Sequence, residues 1–427
     1  MSKKNSNLVA IITMCFIFAM ISFVTNMAAP FGNIWKGSYE WAGMMGNMMN
    51  FAAYLFMGVP AGRLLIKIGY KKTTLAALAV GFIGICIQWL SSRSFLADAA
   101  IYVYLLGAFV CGFCVCMLNT VVNPMLNILG GGGNKGNQFI QIGGTLNSLT
   151  GTLTPLLVGA LIGTVTEKTA MTDVAPLLFI AMAVFAVAFI IISLVRIPEP
   201  AQNRAAVEYE HSPWKFRHFA LGAVAIFFYV GIEIGIPAQL NFYLSDATEK
   251  GAGILENGAA IGGAIAAMYW LLMMVGRAAS SAISGKISTK VQLATVSSVA
   301  LVLVIVAIVL PKSMLISMPG YSVADGFALF RVPAKALFLI LCGLCTSIMW
   351  GAIFNLAVEG LGKYTEQASG IFMMMVVGGG VMPLIQEFLA KQVSYMGSYW
   401  LVVAMLAFIL FYALSGCRNV NKDIKID

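Results

Sequence analysis

The sequence predicts an all-α membrane protein of twelve transmembrane helices, arranged as two pseudo-symmetric six-helix bundles. Three observations predict it. The 427-residue chain is 60% apolar and only 10% charged, with a mean hydropathy of +0.90, which lies outside the range of soluble globular domains. Twelve apolar runs of about 20 residues follow one another, each long enough to cross a hydrocarbon core. Between the sixth and seventh lies the longest charged, proline-containing stretch, RIPEPAQNRAAVEYEHSPWKFR. This stretch divides the chain into an N-terminal bundle over 1–196, a cytoplasmic linker over 197–217 and a C-terminal bundle over 218–427. No segment shows the ten-residue alternation of a barrel, so the spanning elements are helices.

The runs cover 8–30, 41–62, 74–91, 100–128, 139–164, 175–196, 218–244, 257–284, 291–310, 333–358, 367–391 and 395–417. Lys3 and Lys4 precede the first, which is too long for a signal peptide and has no convincing A-x-A site, so it reads as an uncleaved span. With both termini in the cytoplasm, 18 of the 26 Lys and Arg residues fall on the inner side, among them Arg63, Lys67 and Arg277. The positive-inside rule therefore predicts that orientation, in a bacterial-type inner membrane. The net charge of +9 reflects this bias and attraction to the lipid bilayer, and calls for no nucleic acid. The eight cysteines sit almost entirely within spans and suggest no disulfide framework.

The two halves share a pattern: Cys111, Gly112 and Cys114 in span four recur 231 residues later as Cys342, Gly343 and Cys345 in span ten. Such C-x-x-C pairs in apolar helices, without His partners, read as small core residues rather than metal ligands. Parallel repeats of this kind would place a substrate site near the midplane where the halves meet. The hairpin after span two, with Gly62, Arg63, Lys67 and Gly69, can pair with helix ends and act as a conformational latch. Gly276-Arg277 is its looser echo in the second half. Simple positive-inside charge explains the same residues equally well.

Span four carries Asn119, Asn123 and Asn127 at intervals of four, which puts them on one face, and Pro124 should bend it there. Asn119 lies roughly 14 Å from the inner end, near the midplane. Asn147 in span five and Trp350 in span ten fall at similar depth, while Asn26 and Asn50 lie nearer the outside. A single Asn is usually interhelical glue. Several converging at mid-depth favour a polar ligand site. Span seven, FFYVGIEIGIPAQLNFYL over 227–244, places Glu233 inside an apolar run. A charge there costs roughly 2.5 to 3.5 kcal/mol on insertion scales, which marks a functional residue. Gly231, Gly235 and Pro237 predict a kink or unwinding just past it. The glycines of Gly143-Gly144 and Gly378-Gly379-Gly380 are explained by close helix packing.

Several stretches resemble the major facilitator superfamily, and within it the fucose, galactose and glucose:proton symporter family. PAGRLLIKIGYKK from Pro60 is similar to that family's second-helix exit. NTVVNP (Asn119 to Pro124) is similar to its Glu/Gln-Thr-Ala-Ala-Asn-Pro, and GTLNS (Gly144 to Ser148) to its Gln-Thr/Ala-Phe-Asn-Ser. YVGIE (Tyr229 to Glu233) resembles Tyr-Val-Gly-Ala-Glu/Gln. IMWGAIFNL (Ile348 to Leu356) resembles Phe/Tyr-Pro-Thr-Ile-Phe-Ser-Leu, and MMMVVGGGVMPLI (Met373 to Ile385) resembles Met-x-Ile-x-Gly-Gly-Gly-x-x-x-Pro. The order and spacing of these segments cover nearly the whole membrane domain. The chain departs where the family keeps its acids: Asn26 is followed by Met27 instead of an acid, and the helix-four acid is Asn119. Gly144 and Gly351 replace the family's glutamine and proline.

The expectation is therefore a secondary active transporter that imports a small polar solute, foremost a monosaccharide (hexose or deoxyhexose), by alternating access with proton coupling. Asn26, Asn50, Asn119, Asn123, Asn147, Glu233, Gln239, Trp350 and Asn355 are the candidate substrate-binding residues, amides for hydroxyls and an aromatic face for the ring. By elimination among the seventeen acids, Glu233 is the proton-coupling candidate. A sodium-coupled or uncoupled sugar carrier, an exporter of amphipathic compounds and a non-transporting sensor are the alternatives. The pattern contains no metal cluster, Ser-His-Asp arrangement or phosphate loop, so neither an enzyme nor a cofactor is expected.

Overall fold

A computed structural model describes residues 3–39, 42, 45–93, 99–162, 171–197, 199, 210–254, 258–322, 326–421 and 424. Most of the expected linker falls outside them. The helices are α1 (Lys3–Ser38), α2 (Met45–Leu90), α3 (Ala100–Leu129), α4 (Gly133–Ile162), α5 (Ala175–Leu194), α6 (Arg217–Ser245), α7 (Gly258–Ile283) and α8 (Thr289–Val309). They continue with α9 (Lys335–Val358), α10 (Thr365–Met374), α11 (Gly378–Gln392) and α12 (Tyr395–Phe411). Ten described segments are long and apolar enough to cross a membrane. One of these, α2, holds spans two and three, and α4 supplies span five, so the twelve expected spans are accounted for.

Two spans differ from expectation. α2 runs without a loop through the basic hairpin and turns at Gly69, whose φ of 81° and ψ of 179° only glycine adopts easily. The break expected past Glu233 does not unwind the helix: α6 continues through Pro237 to Ser245. Pro237 withdraws one backbone donor, and nearby Tyr399 on α12 donates its hydroxyl to the Ile236 carbonyl at 2.8 Å, so a side chain takes up carbonyl capacity beside the proline. The broken span is the eleventh. There α10 and α11 are separated by a tight 3-10 turn, Met375–Val377, immediately before the glycine run.

Sequence patterning also left a strand pair unread. Between α8 and α9, β1 (Leu315–Ser322) and β2 (Gly326–Pro333) pair antiparallel, with Leu315 opposite Pro333 and Ser322 opposite Gly326. Met318 is buried beneath this hairpin, whereas Phe327 is 90% exposed.

Two compact units are formed. Unit 1 contains Met1–Lys215 with Val358–Val377 and Asn421–Asp427, and unit 2 contains Phe216–Ala357 with Gly378–Val420. In unit 1, α10 lies on α2 with backbone almost touching backbone. A Cβ on Gly58 would come within 2.6 Å of the Gly370 carbonyl, and one on Gly62 within 3.0 Å of the Gly370 Cα. In unit 2, α11 lies along α6 in register: Gly378 meets the Phe227 carbonyl, Gly231 meets Met382, and Gly235 meets the Gln386 amide. Glycine at these points permits a helix approach that any side chain would prevent.

The internal repeat has the same packing in each unit. A Cβ on Gly112 would collide with the Asn50 carbonyl of α2, and one on Gly343 with the Tyr269 carbonyl of α7. The thiols serve the same close packing, Cys111 against Gly84 and Cys114 against Gly81. Asn119 and Trp350 stand at the same 231-residue offset as this glycine pair.

Gly58→Val should lower the unfolding temperature of the purified protein, by the equivalent of about 1–3 kcal/mol of overpacking or more. Gly263→Ala, where a Cβ meets nothing within 4 Å, should not lower it. Equal behaviour of the two in a thermal melt would contradict the backbone contact.

Candidate functional site

In unit 2, α6 carries Glu233 and α7 carries Arg277. Arg277 Nη2 donates to Glu233 Oε1 at 3.2 Å, with side-chain exposures of only 10% and 14%. Arg277 Nε also donates to the Ser347 carbonyl of α9 at 3.2 Å, so one guanidinium joins three helices. Grouped by sequence with the basic latch and counted among the inner-side charges, Arg277 is instead buried on Glu233. A planar five-donor guanidinium can bridge a carboxylate and a carbonyl at once, and that removes it from the surface. The Tyr229 hydroxyl faces both charged groups without closing a well-formed hydrogen bond. Its ring meets Trp350 edge-on, with centroids 6.2 Å apart. Glu233, Arg277, Tyr229 and Trp350 therefore form one cluster of charge and aromatic surface.

Gln386 on α11 was missed from sequence. It is fully buried against Gly235, and neither of its amide atoms has a protein partner. Its position was readable as the only amide continuing the spacing of Gly378 and Met382. One turn beyond Gly235, Gln239 is buried with its Oε1 also unpartnered. Asn355 donates to the Thr289 hydroxyl at 3.2 Å and ties α9 to the start of α8.

The amides of unit 1 are mostly engaged in packing. Asn119 donates to the Tyr54 hydroxyl at 2.9 Å, which links α3 to α2, and Asn123 donates to the Asn119 carbonyl at 2.9 Å. Asn147 reaches from α4 to the Phe18 carbonyl of α1 at 2.8 Å. Asn26 bonds back to the Ser22 carbonyl at 2.8 Å, beside Gly151. Asn50 is buried with its Oδ1 unpartnered.

At the bend of α2, the expected latch acquires a partner that sequence did not reveal. Tyr70 and Lys71 donate their backbone N–H groups to the Glu199 carboxylate at 2.8 and 3.0 Å. An acid there caps the restarted helix and complements its dipole. The Gly69 Cα faces the same carboxylate. Lys71 Nζ donates to the Ser193 and Val195 carbonyls at the end of α5, at 2.7 and 2.8 Å. The Tyr70 hydroxyl donates to buried Glu366 on α10 at 3.4 Å. Arg63 and Lys67 are exposed.

Among the described residues no group of three His, Cys, Asp or Glu side chains could hold a metal ion. Membrane-crossing helices interrupted by glycine and proline, with buried polar groups facing one another, are the architecture of a secondary transporter. The chain belongs to the Major Facilitator Superfamily, whose family model matches residues 9–380.

The chain is 31% identical to a glucose/galactose transporter of Brucella abortus, over 98% of this chain and 96% of that one. It is 22% identical to the L-fucose-proton symporter of Escherichia coli, over 87% and 83%. A crystal structure of the E. coli fucose:proton symporter matches with a TM-score of 0.78 at 18% identity, covering 96% of this chain and 98% of that one. The human organic anion transporter MFSD10 matches at 0.68 and 15%, covering 97% and 100%. These relatives are transporters rather than enzymes.

Arg277→Met should cost about 3–5 kcal/mol, because it leaves Glu233 buried without its partner. Adding Glu233→Gln should recover most of that loss in thermal unfolding. Glu199→Ala should cost about 0.5–2 kcal/mol, the usual range for a helix cap. A melt unchanged from wild type would refute the cap.

Proposed function

We propose that this protein imports a monosaccharide across the bacterial inner membrane by alternating access, coupled to protons through Glu233. The observation that carries the substrate class is the end-to-end relation, at 31% identity, to a transporter named for glucose and galactose. The geometry of unit 2 supports it. Trp350 and Tyr229 offer apolar ring faces, while Glu233, Arg277 and Gln239 offer hydroxyl partners. In unit 1, Asn26, Asn50, Asn119, Asn123 and Asn147 are the further amides proposed to meet hydroxyls. Asn355 belongs to the proposed set with a second task in holding Thr289.

The Glu233–Arg277 pair supports proton coupling over a purely structural carboxylate. A proton on Glu233 cancels the charge that attracts Arg277, while the bond from Arg277 to the Ser347 carbonyl does not depend on that charge. Protonation would thus change how tightly α6 and α7 are joined, as a coupled carrier requires. The relative named as a proton symporter is consistent with this reading. In this proposal both termini lie in the cytoplasm, and two six-helix halves, 1–196 and 218–427, are joined by a linker over 197–217. The latch is the hairpin Gly62, Arg63, Lys67 and Gly69, now with Glu199.

Labelled hexose and deoxyhexose uptake into proteoliposomes tests the proposal, with a pH gradient, a sodium gradient or neither. Wild type should accumulate sugar only with the pH gradient. Glu233→Gln should abolish accumulation while sparing exchange, and Asn119→Ala and Asn147→Ala should weaken uptake about tenfold or more for a lost charge-free hydrogen bond pair. Accumulation driven by sodium, or unchanged in Glu233→Gln, overturns the coupling; absence of any sugar flux overturns the substrate class.

A further inference from the structure

A second polar site lies in unit 2, at the end where α6 finishes and α9 begins. Lys335 is the first residue of α9, a 24-residue helix. A cation is the wrong charge for that position, because the helix dipole already presents positive potential there. Lys335 is nonetheless only 6% exposed, and it forms no ion pair with a carboxylate among the described residues. Two of the described acids at this end have partners other than Lys335. Asp246 accepts the Thr248 N–H at 2.8 Å, and Glu387 pairs with Lys391 at 2.8 Å.

Two other groups complete the surroundings. Lys335 Nζ stands 5.9 Å from the centroid of the Tyr243 ring. The Tyr243 hydroxyl is buried, in a residue 2% exposed, and has no protein partner. Lys312, after α8, is a second cation near Lys335; it donates to the Glu249 backbone carbonyl at 3.1 Å, and its charge also acts on the Asp246 carboxylate. With Lys312 sharing the field of Asp246, the Lys335 ammonium, a helix N-terminus and an unpartnered phenol leave positive potential and a spare donor without an acceptor among the described residues. Buried charge is normally paired, and buried hydroxyls are normally bonded.

We propose that Lys335, the N-terminus of α9 and the Tyr243 hydroxyl bind a small monovalent anion such as chloride. The anion supplies the acceptor that the protein does not, and it joins α6 to α9. The site is separate from the Glu233 cluster and does not depend on which solute the protein carries.

Chloride-35 NMR line broadening tests this on the full-length, detergent-purified protein, in gluconate buffer of constant ionic strength. Wild type should give saturable broadening that bromide competes away. Lys335→Met should weaken chloride binding at least about tenfold, as expected for a lost charge-assisted contact. Tyr243→Phe, which removes one hydroxyl and keeps the ring, should weaken it several-fold. Lys391→Met, which removes an exposed, paired cation, should leave it unchanged. Broadening that never saturates in wild type overturns the proposal. So does wild-type affinity in Lys335→Met or, should that variant fail to fold, in Tyr243→Phe.

Discussion

Glu233 can occupy the middle of an apolar helix because Arg277 reaches it and is itself held by the Ser347 carbonyl. Much else in unit 2 serves that contact. Three helices must stand at fixed distance for one guanidinium to meet two acceptors. A Cβ on Gly276, beside Arg277, would collide with Ser347, so glycine lets α7 come close enough to α9. Tyr229 faces the pair, and its ring meets that of Trp350 edge-on. Excluding water strengthens the attraction and raises the cost of losing either partner.

Close backbone approach is the second constraint, and it recurs at several helix contacts in both units. Gly58, Gly62 and Gly370 bring α2 and α10 together, and Gly231, Gly235 and Gly378 bring α6 and α11 together. In hydrocarbon no hydrophobic drive separates helix from lipid, so association rests on close packing and on the few polar contacts available. Asn119 with Tyr54 and Asn147 with the Phe18 carbonyl are such contacts. Two of the amides that sequence marked as ligand groups, Asn119 and Asn147, therefore already hold helices together.

The span count was legible because hydrophobic length is a one-dimensional property. The repeat was legible too, since Gly112 and Gly343 perform the same packing in their own units. Glu233 was conspicuous as a charge among apolar neighbours, but its partner depended on how α6 and α7 fold back on each other. Pro237 and its glycines suggested an unwound helix; Tyr399 and the intact turns around Pro237 favour continuity, and the break falls at Met375–Val377. Glu199 and Glu366 were invisible for a different reason. Their partners, the backbone at Tyr70 and Lys71 and the Tyr70 hydroxyl, lie 128 to 296 residues away and follow no periodicity. The β1–β2 pair escaped notice because Pro319 and Gly320 interrupt its first strand.

That strand pair changes the chain statistics of the connection between α8 and α9. A free loop of this length would let the two helix ends wander and would cost closure entropy each time they met. The ladder from Leu315–Pro333 to Ser322–Gly326 places the two ends of the connection on adjacent strands, a few ångströms apart. Ala334 N–H donates to the Met314 carbonyl at 2.8 Å, which closes the base of the hairpin. The excursion is long in sequence yet acts as a short, stiff tie, so α8 and α9 would behave in folding as near neighbours in the chain.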